Sequence, residues 1–436
     1  MATEANPLPP FPAGFLWGVS TSAHQIEGAV ETRGRSVWDA FTDRPGRIRD
    51  GSTAAVACDH VRRYREDVAL LAGLGVDAYR FSVSWPRADS PGGLGFYDRL
   101  VDELCAAGVR PVPTLFHWDL PVELDWRERD TASRFAAHAE RVAARLGDRV
   151  PTWITLNEPA EHTLLGHALG VHAPGERLLF DALPVAHHQL LAHGLAVRAL
   201  RAAGATEIGI ANSHGPVRPA SDALADREAA DFYDVLLNRT FADPPLLGRY
   251  PEGIGELMPG NVAADLDVIA EPLDFYGVNF YAPARVGAPS DAPGDFGGVP
   301  LPAGLPFSVR ETEGRPVTDS GWPVDPEALT ELLTGFRARY GDRLPPIVIT
   351  ENGCAYDGLD DQDRITYLDG HLRALHEALT AGVDVRGYFV WSLLDNFEWA
   401  EGYAHRFGLV HVDFTTQRRT PKASYAWFRE MLAAQR

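Results

Sequence analysis

Two hydrophobic patterns alternate along the whole chain. Short runs that are apolar on both faces each end in polar residues, and longer stretches with apolar residues three and four apart lie between them. The short runs are Phe15 to Ser20, Ala78 to Val83, Arg110 to Phe116, Thr152 to Leu156, Glu207 to Ala211, Asp274 to Asn279, Ile347 to Thr350 and Val385 to Trp391. A strand with two apolar faces belongs to a parallel sheet covered by helices. The helical stretches fall at about Val61 to Leu74, Tyr97 to Ala107, Ser133 to Leu146, His187 to Arg201, Pro326 to Tyr340 and Arg364 to Thr380. Eight strand–helix alternations with no linker predict an α/β fold, a single (β/α)8 TIM barrel spanning 1–436 with long βα rim loops. A doubly wound open sheet would carry a glycine-rich turn after its first strand, and Gly18-Val19-Ser20-Thr21 is not one. Two segments fit neither pattern. Met1 to Pro12 reads as a flexible tail, and Ala282 to Ser320, rich in Gly, Pro, Asp and Ala, reads as a rim or lid segment over the face that follows the sixth strand.

Composition narrows the partners more than the chemistry. A formal charge of −20 argues against nucleic acid and anionic membranes. Three scattered cysteines, Cys58, Cys105 and Cys354, are too few for a disulfide framework or a zinc site, and they fit a reduced compartment. The amino terminus lacks a basic region followed by an apolar core, and no stretch approaches the ~20 apolar residues of a membrane helix. A cytoplasmic protein is expected, with its oligomeric state left open.

Chemistry gathers where the strands end. In a barrel of this kind the carboxyl ends of the strands carry the site. The first strand leads to Gln25-Ile26-Glu27-Gly28, the third to His117-Trp118-Asp119 and the fourth to Asn157-Glu158-Pro159. The sixth leads to Asn279-Phe280-Tyr281, the seventh to Glu351-Asn352 and the eighth to Asp395-Asn396-Phe397-Glu398-Trp399. Each residue alone has an ordinary structural explanation. Indoles, amides and carboxylates converging on one bowl instead suit a sugar, whose hydroxyls need paired donors and acceptors and whose C–H faces pack on rings. No His-x-x-His or His-Glu-x-x-His spacing supports a metal. Cys354 lacks a histidine base on its own element and is expected to pack beneath its loop, and His187-His188 is expected to be structural or capping.

Glu158 and Glu351 stand on opposite sides of the expected mouth, which suits a glycosidic bond held between them. One carboxylic acid would protonate the leaving oxygen while the other carboxylate attacks the anomeric carbon. Arg80 and Tyr281 are candidate neighbours of Glu351, where a guanidinium and a phenol would keep it ionised. Glu158 would then stay protonated, because two close carboxylates resist sharing charge.

Over nearly its whole length, Phe15 to Met431, the chain resembles the retaining β-glucosidases of glycoside hydrolase family 1. The resemblance rests on Phe15-Leu16-Trp17-Gly18 with Gln25-Ile26-Glu27-Gly28, on Thr155-Leu156-Asn157-Glu158-Pro159, on Ile349-Thr350-Glu351-Asn352-Gly353 and on Trp391 to Trp399. It implies Glu158 as acid/base and Glu351 as nucleophile, with Arg80, Asn279 and Tyr281 supporting the nucleophile. It further implies that Gln25, His117, Asn157, Glu398 and Trp399 hold the sugar hydroxyls, with Trp391 beneath the ring; Trp118 is placed in the same bowl. The implied substrate is a small-molecule or oligosaccharide β-glycoside ending in β-D-glucose, with galactosides and fucosides as relatives. Neither metal nor organic cofactor is implied.

Against the family pattern, the connections around Ala88 to Gly95, Pro121 to Arg129 and Ala355 to Asp363 look trimmed, and Ala160 stands where many members carry a bulky residue. A reshaped leaving-group site over an intact sugar pocket is the expectation. Transglycosylation or a biosynthetic role would use the same residues. A non-catalytic sugar-binding barrel is disfavoured by two complete glutamate motifs, and a 6-phosphoglycosidase by an anionic Glu398 that would repel phosphate.

Overall fold

The computed structural model describes residues 7–290, 294–296 and 299–436, with backbone alone over 294–296 and 299–300. Eight parallel strands close into a barrel: β1 Leu16–Ser20, β2 Ala78–Ser82, β3 Arg110–Phe116, β4 Thr152–Asn157, β5 Glu207–Ser213, β6 Phe275–Phe280, β7 Ile347–Asn352 and β8 Val385–Trp391. β1 seals it by pairing with β8 at Leu16↔Gly387 and with β2 at Gly18↔Ala78. Among the helices between strands, those that cover the barrel are α1 His60–Leu74, α2 Gly93–Ala106, α3 Asp130–Leu146, α4 Leu183–Ala202, α5 Val262–Ile269, α6 Glu327–Tyr340 and α7 Gln362–Thr380, and α8 Ala423–Ala434 lies near the carboxyl terminus. Their apolar stripes explain the outer ring. On α3, Phe135, His138, Ala139, Val142 and Leu146 are buried at helical spacing.

One end of the barrel is filled. Leu16, Ala78, Val112, Ile154, Ala211, Phe275, Val348 and Phe389, one from each strand, pack into a single interior cluster. Two glycines make room for its rings: a Cβ on Gly18 would lie 2.3 Å from the Phe389 ring, and one on Gly209 would lie 2.4 Å from that of Phe275. With that end plugged, polar side chains can converge only at the other.

Three expectations change. The segment 282–320 is not without regular structure, since it forms short strands at Ala284–Gly287, Gly294–Phe296, Val299–Leu301 and Ser308–Arg310. Ala284–Gly287 pairs with Ser308–Arg310 and with Val217–Pro219, so its partner lies far back in the chain, where local pattern cannot reveal it. Residues 291–293 and 297–298 of this segment lie outside the described residues. The tail is anchored from residue 7 onward: the Phe11 backbone N–H donates to Gln435 Oε1 at 2.9 Å, and its ring lies 4.9 Å from Trp17. Residues 1–6 lie outside the described residues. Finally, β4 and β7 run past their apolar residues to include Asn157, Glu351 and Asn352. A polar side chain ended the apolar run in the sequence, but the backbone ladder continues beneath it.

Cys354 is buried, and burial pushes its thiol up to about 12. His187 is a structural residue, bonded to Tyr250 Oη and Asp265. No described helix is long and apolar enough to cross a membrane.

Candidate active site

Both candidate carboxylates are presented by local breaks in the barrel ladder. β7 steps from Ile349↔Val278 to Glu351↔Asn279, and β4 from Ile154↔Gly209 to Asn157↔Ala211. Such a bulge re-aims the side chains that follow it. Glu158 takes a left-handed φ of 46°, uncommon for a residue with a Cβ, and its N–H is tied to Ala211 O at 2.8 Å. The following Pro159 also disfavours the right-handed helical conformation at this position.

A continuous chain of hydrogen bonds joins the two groups. Arg80, buried in the middle of β2, donates to Glu351 Oε1, to Asn157 Oδ1 and to the Thr350 carbonyl at 3.0 Å. The hydroxyl of half-buried Tyr281 donates to the other Glu351 oxygen at 2.6 Å. Asn157 Nδ2 turns the opposite way, to Glu158 Oε2 at 3.1 Å and His117 Nε2 at 3.0 Å. The Asn157 amide is therefore saturated, and its orientation is set by its neighbours. Because His117 Nε2 accepts, its proton lies on Nδ1. Burial, reinforced by the Arg80 charge, holds this imidazole well below its usual value and hence neutral.

Asn279 departs from its expected place. Its Nδ2 donates to Glu158 Oε1 at 2.9 Å and Asn157 Oδ1 at 3.0 Å, while its Oδ1 accepts from Thr350 Oγ1 at 2.6 Å. It serves Glu158, not Glu351. β6 lies between β5 and β7 in the barrel, so a side chain at its end can reach the β4 side as readily as the β7 side. Trp118 differs as well. Its indole N–H is spent on the Asn157 carbonyl at 3.0 Å and its ring lies 4.5 Å from that of Trp399, so it braces the bowl from behind.

The charges follow from this burial. Burial first, then the Glu351 charge and then that of Glu161, raise the Glu158 carboxyl well above the ordinary range. Tyr281 is pushed well above its usual value by burial and by Glu351, which keeps its hydroxyl a donor. Opposite the carboxylates, Gln25 Nε2 donates to Glu398 Oε2 at 3.1 Å and Asn396 Oδ1 at 2.9 Å, while its Oε1 accepts from Ser22 Oγ at 2.6 Å. Trp391 and Trp399 lie 5.8 and 5.7 Å from the His117 ring, on the same wall. Glu398 is pushed up to about 8, by burial and then by Glu351. This burial lessens the charge that Glu398 presents to the pocket. Arg87 and Glu27, also at strand ends, pair with each other away from this cluster.

Thr350, Ser22 and Asn396 orient site residues although the sequence reading assigned them no role. Thr350 and Asn396 sit inside the motifs named above, and Ser22 lies three residues before Gln25. Glu161 was missed altogether; its clue is the three-residue spacing from Glu158 on the first turn of a helix. Among the described residues, no three His, Cys, Asp or Glu side chains are grouped to hold a metal ion.

The family model described as glycosyl hydrolase family 1 matches residues 8–436. The chain belongs to glycosyl hydrolase family 1. It is 45% identical to thermostable beta-glucosidase B of Thermobispora bispora, over 97% of this chain and 90% of that protein. Its backbone superimposes on the psychrophilic beta-glucosidase BglU of Micrococcus antarcticus with a TM-score of 0.91 at 43% identity, covering 98% of both chains. The beta-glucosidase of Thermotoga maritima, in complex with glucoimidazole, gives 0.90 at 39% identity, over 98% of this chain and 99% of that one. As a family 1 member the protein is a glycosidase acting on O-glycosyl bonds, built on a (β/α)8 barrel.

Proposed function

We propose that this glycosidase removes terminal β-D-glucose from β-glucosides with retention, through a covalent glycosyl-enzyme on Glu351, with Glu158 as acid and then base. The observation that carries the reading is the opposite treatment of two carboxyl groups joined by one hydrogen-bond chain. Glu351 accepts from a guanidinium and a phenol, while Glu158 is bonded, among the described residues, only by the neutral amides of Asn157 and Asn279 and is raised well above the ordinary range by burial, which favours its protonated form. Glu158 donates its proton to the leaving oxygen as Glu351 attacks the anomeric carbon. Esterification then removes the Glu351 charge, one of the two largest influences raising Glu158. Its acidity increases at the moment it must take a proton from water. His117, Gln25 and Glu398 hold the sugar hydroxyls, and Trp391 and Trp399 pack its faces.

The leaving group would be large and apolar. Beside the mouth lies a cavity of about 80 Å³ lined by Leu164, Leu165, Phe180, Tyr233 and Phe307, with Glu161 at its wall. Ala160, expected to widen this site, is instead fully buried against Ala186 and Phe241 and does not line the cavity. Glucosides of hydrophobic natural products suit such a rim better than cellobiose does, and an acceptor alcohol entering there would give transglycosylation. The three cysteines are unpaired, in keeping with a reduced cytoplasmic setting.

The test is proton NMR of p-nitrophenyl β-D-glucoside hydrolysis. β-Glucose should appear before mutarotation, and Glu351→Gly should recover turnover with azide to give the α-glucosyl azide. α-Glucose as first product would overturn the mechanism. A higher kcat/KM for cellobiose than for bulky aryl glucosides would overturn the leaving-group reading while leaving the catalytic assignment intact.

A further inference from the structure

Glu161 stands one helical turn beyond Glu158, at the end of the short helix Pro159–Glu161, and the mechanism gives it no task. It is half-buried. Burial raises its carboxyl, and what offsets this is the Ser213 hydroxyl; no cation among the described residues does so. Four carboxylates buried elsewhere in the chain are treated differently. Asp67 has Arg419, Asp325 has Arg218, Asp361 has Arg364 and Asp395 has Lys422. A carboxylate drawn out of water without a counter-charge is costly, and Glu161 sits where a substrate can supply one.

Glu161 forms part of the wall of the 80 Å³ cavity beside the mouth. The other walls are the segments His162–Ala168 and Leu179–Ala182, the helix Leu224–Asp234 with the turn after it, and the stretch 301–307 that follows β6. The rings of Tyr233 and Phe307 meet edge to face at 4.9 Å. Leu179 and Phe180 stand at the rim, 45% and 41% exposed, so an apolar edge is open to solvent. Among the described residues of this lining Glu161 is the sole acid, and none is Arg, Lys or His. Its charge reaches both ends of the space, raising Glu158 on the catalytic side and Tyr233 on the cavity side. The carboxyl therefore lies between the acid that protonates the leaving oxygen and the apolar wall. An anion is repelled there, and a wholly apolar group leaves Glu161 unpaired. A cation pairs with the carboxylate and can also lie against the aromatic rings, and a chain of charge −20 draws cations toward itself.

We propose that Glu161 selects leaving groups that join an apolar body to a basic nitrogen, the body filling the cavity beside Tyr233 and Phe307 and the protonated nitrogen pairing with the Glu161 carboxylate. The ammonium supplies the missing counter-charge and holds Glu161 ionised. Glu161 acts on the leaving group and not on the reacting atoms. The inference rests on the leaving-group reading given above and narrows it from hydrophobic glucosides to hydrophobic amine glucosides.

The test compares kcat/KM of the full chain at pH 7 for 4-(2-aminoethyl)phenyl, 4-propylphenyl and 4-(2-carboxyethyl)phenyl β-D-glucosides, with cellobiose alongside. The wild-type enzyme should prefer the amine to the propyl compound by about tenfold or more, the worth of one hydrogen bond to a charged group. It should disfavour the carboxylate. In Glu161→Gln the amine and propyl compounds should become equal substrates. Their ratio cancels any effect on Glu158 that both substrates share, and turnover of the propyl compound shows that the variant is folded. Glu161→Asp keeps the charge but withdraws it by one methylene; it should give an intermediate ratio, and it decides the case if Glu161→Gln does not fold. Equal turnover of amine and propyl compounds by the wild type, or a ratio that both substitutions leave unchanged, would overturn the proposal while leaving the leaving-group reading intact. Cellobiose outranking the propyl compound would overturn that reading, and the proposal with it.

Discussion

Arg80 and Glu351 form an ion pair whose strength depends on both partners being buried together. Their side chains are 1% and 3% exposed. Arg80→Met deletes the guanidinium and leaves Glu351 with Tyr281 as its remaining side-chain donor. It also frees Asn157 Oδ1, the Thr350 carbonyl and Thr114 Oγ1 from a cationic donor. Breaking one side of a buried ion pair costs about 3–5 kcal/mol, since the remaining charge is desolvated and uncompensated. Glu351→Gln should cost a similar amount for the mirrored reason, leaving Arg80 without its counter-charge. The double variant Arg80→Met/Glu351→Gln buries neither charge. Its loss should therefore fall short of the summed single losses by about 2–3 kcal/mol, the upper part of the range for contacting residues. Urea denaturation of the four proteins at pH 7, followed by the fluorescence of the ten tryptophans, measures this coupling. All three variants should be inactive, so stability and not turnover carries the result. Losses that add to within about 0.5 kcal/mol would show that the pair does not act as a unit, and the account of Glu351 as a paired carboxylate would fail.

Other substitutions probe neighbouring claims. Asn279→Ala removes a donor that favours charged Glu158, so the Glu158 carboxyl should rise further and the alkaline limb of kcat/KM should move to higher pH; movement to lower pH contradicts the placement of Asn279. A carboxyl raised on folding supports stability below its ordinary value of 4.5 and withdraws that support as pH climbs through the raised one. Glu158→Gln should accordingly gain stability over wild type at pH 8 relative to pH 4, as thermal melts at the two values would show. A Cβ on Gly353 would lie 1.8 Å from the Trp391 carbonyl, and Gly353→Ala should abolish activity even where circular dichroism shows a folded protein. Lys422→Met strips buried Asp395 of its 2.8 Å partner and should cost about 3–5 kcal/mol in urea, with kcat in the surviving folded protein nearly unchanged.

The barrel and the motifs at its strand ends were legible in the chain itself. Strands buried on both faces read as unbroken apolar runs, and the residue after each run must stand at the mouth, so Glu158, Glu351 and their companions could be located by position alone. Local pattern also placed six of the helices, because an amphipathic stripe is written at fixed spacing. What it could not supply was the partner of each polar group. Asn279 joins Glu158 and not Glu351, Trp118 holds a backbone carbonyl, and burial pushes the Glu398 carboxyl up, because these features depend on barrel closure, on two ladder irregularities and on desolvation. The short strands within 282–320 escaped for a related reason, their pairing partner being distant in sequence. A hydrophobic period is a local property and determines which face of an element is buried. Hydrogen-bond partners and proton affinities are set by groups brought together from β2, β4, β6 and β7, and only the closed structure decides them.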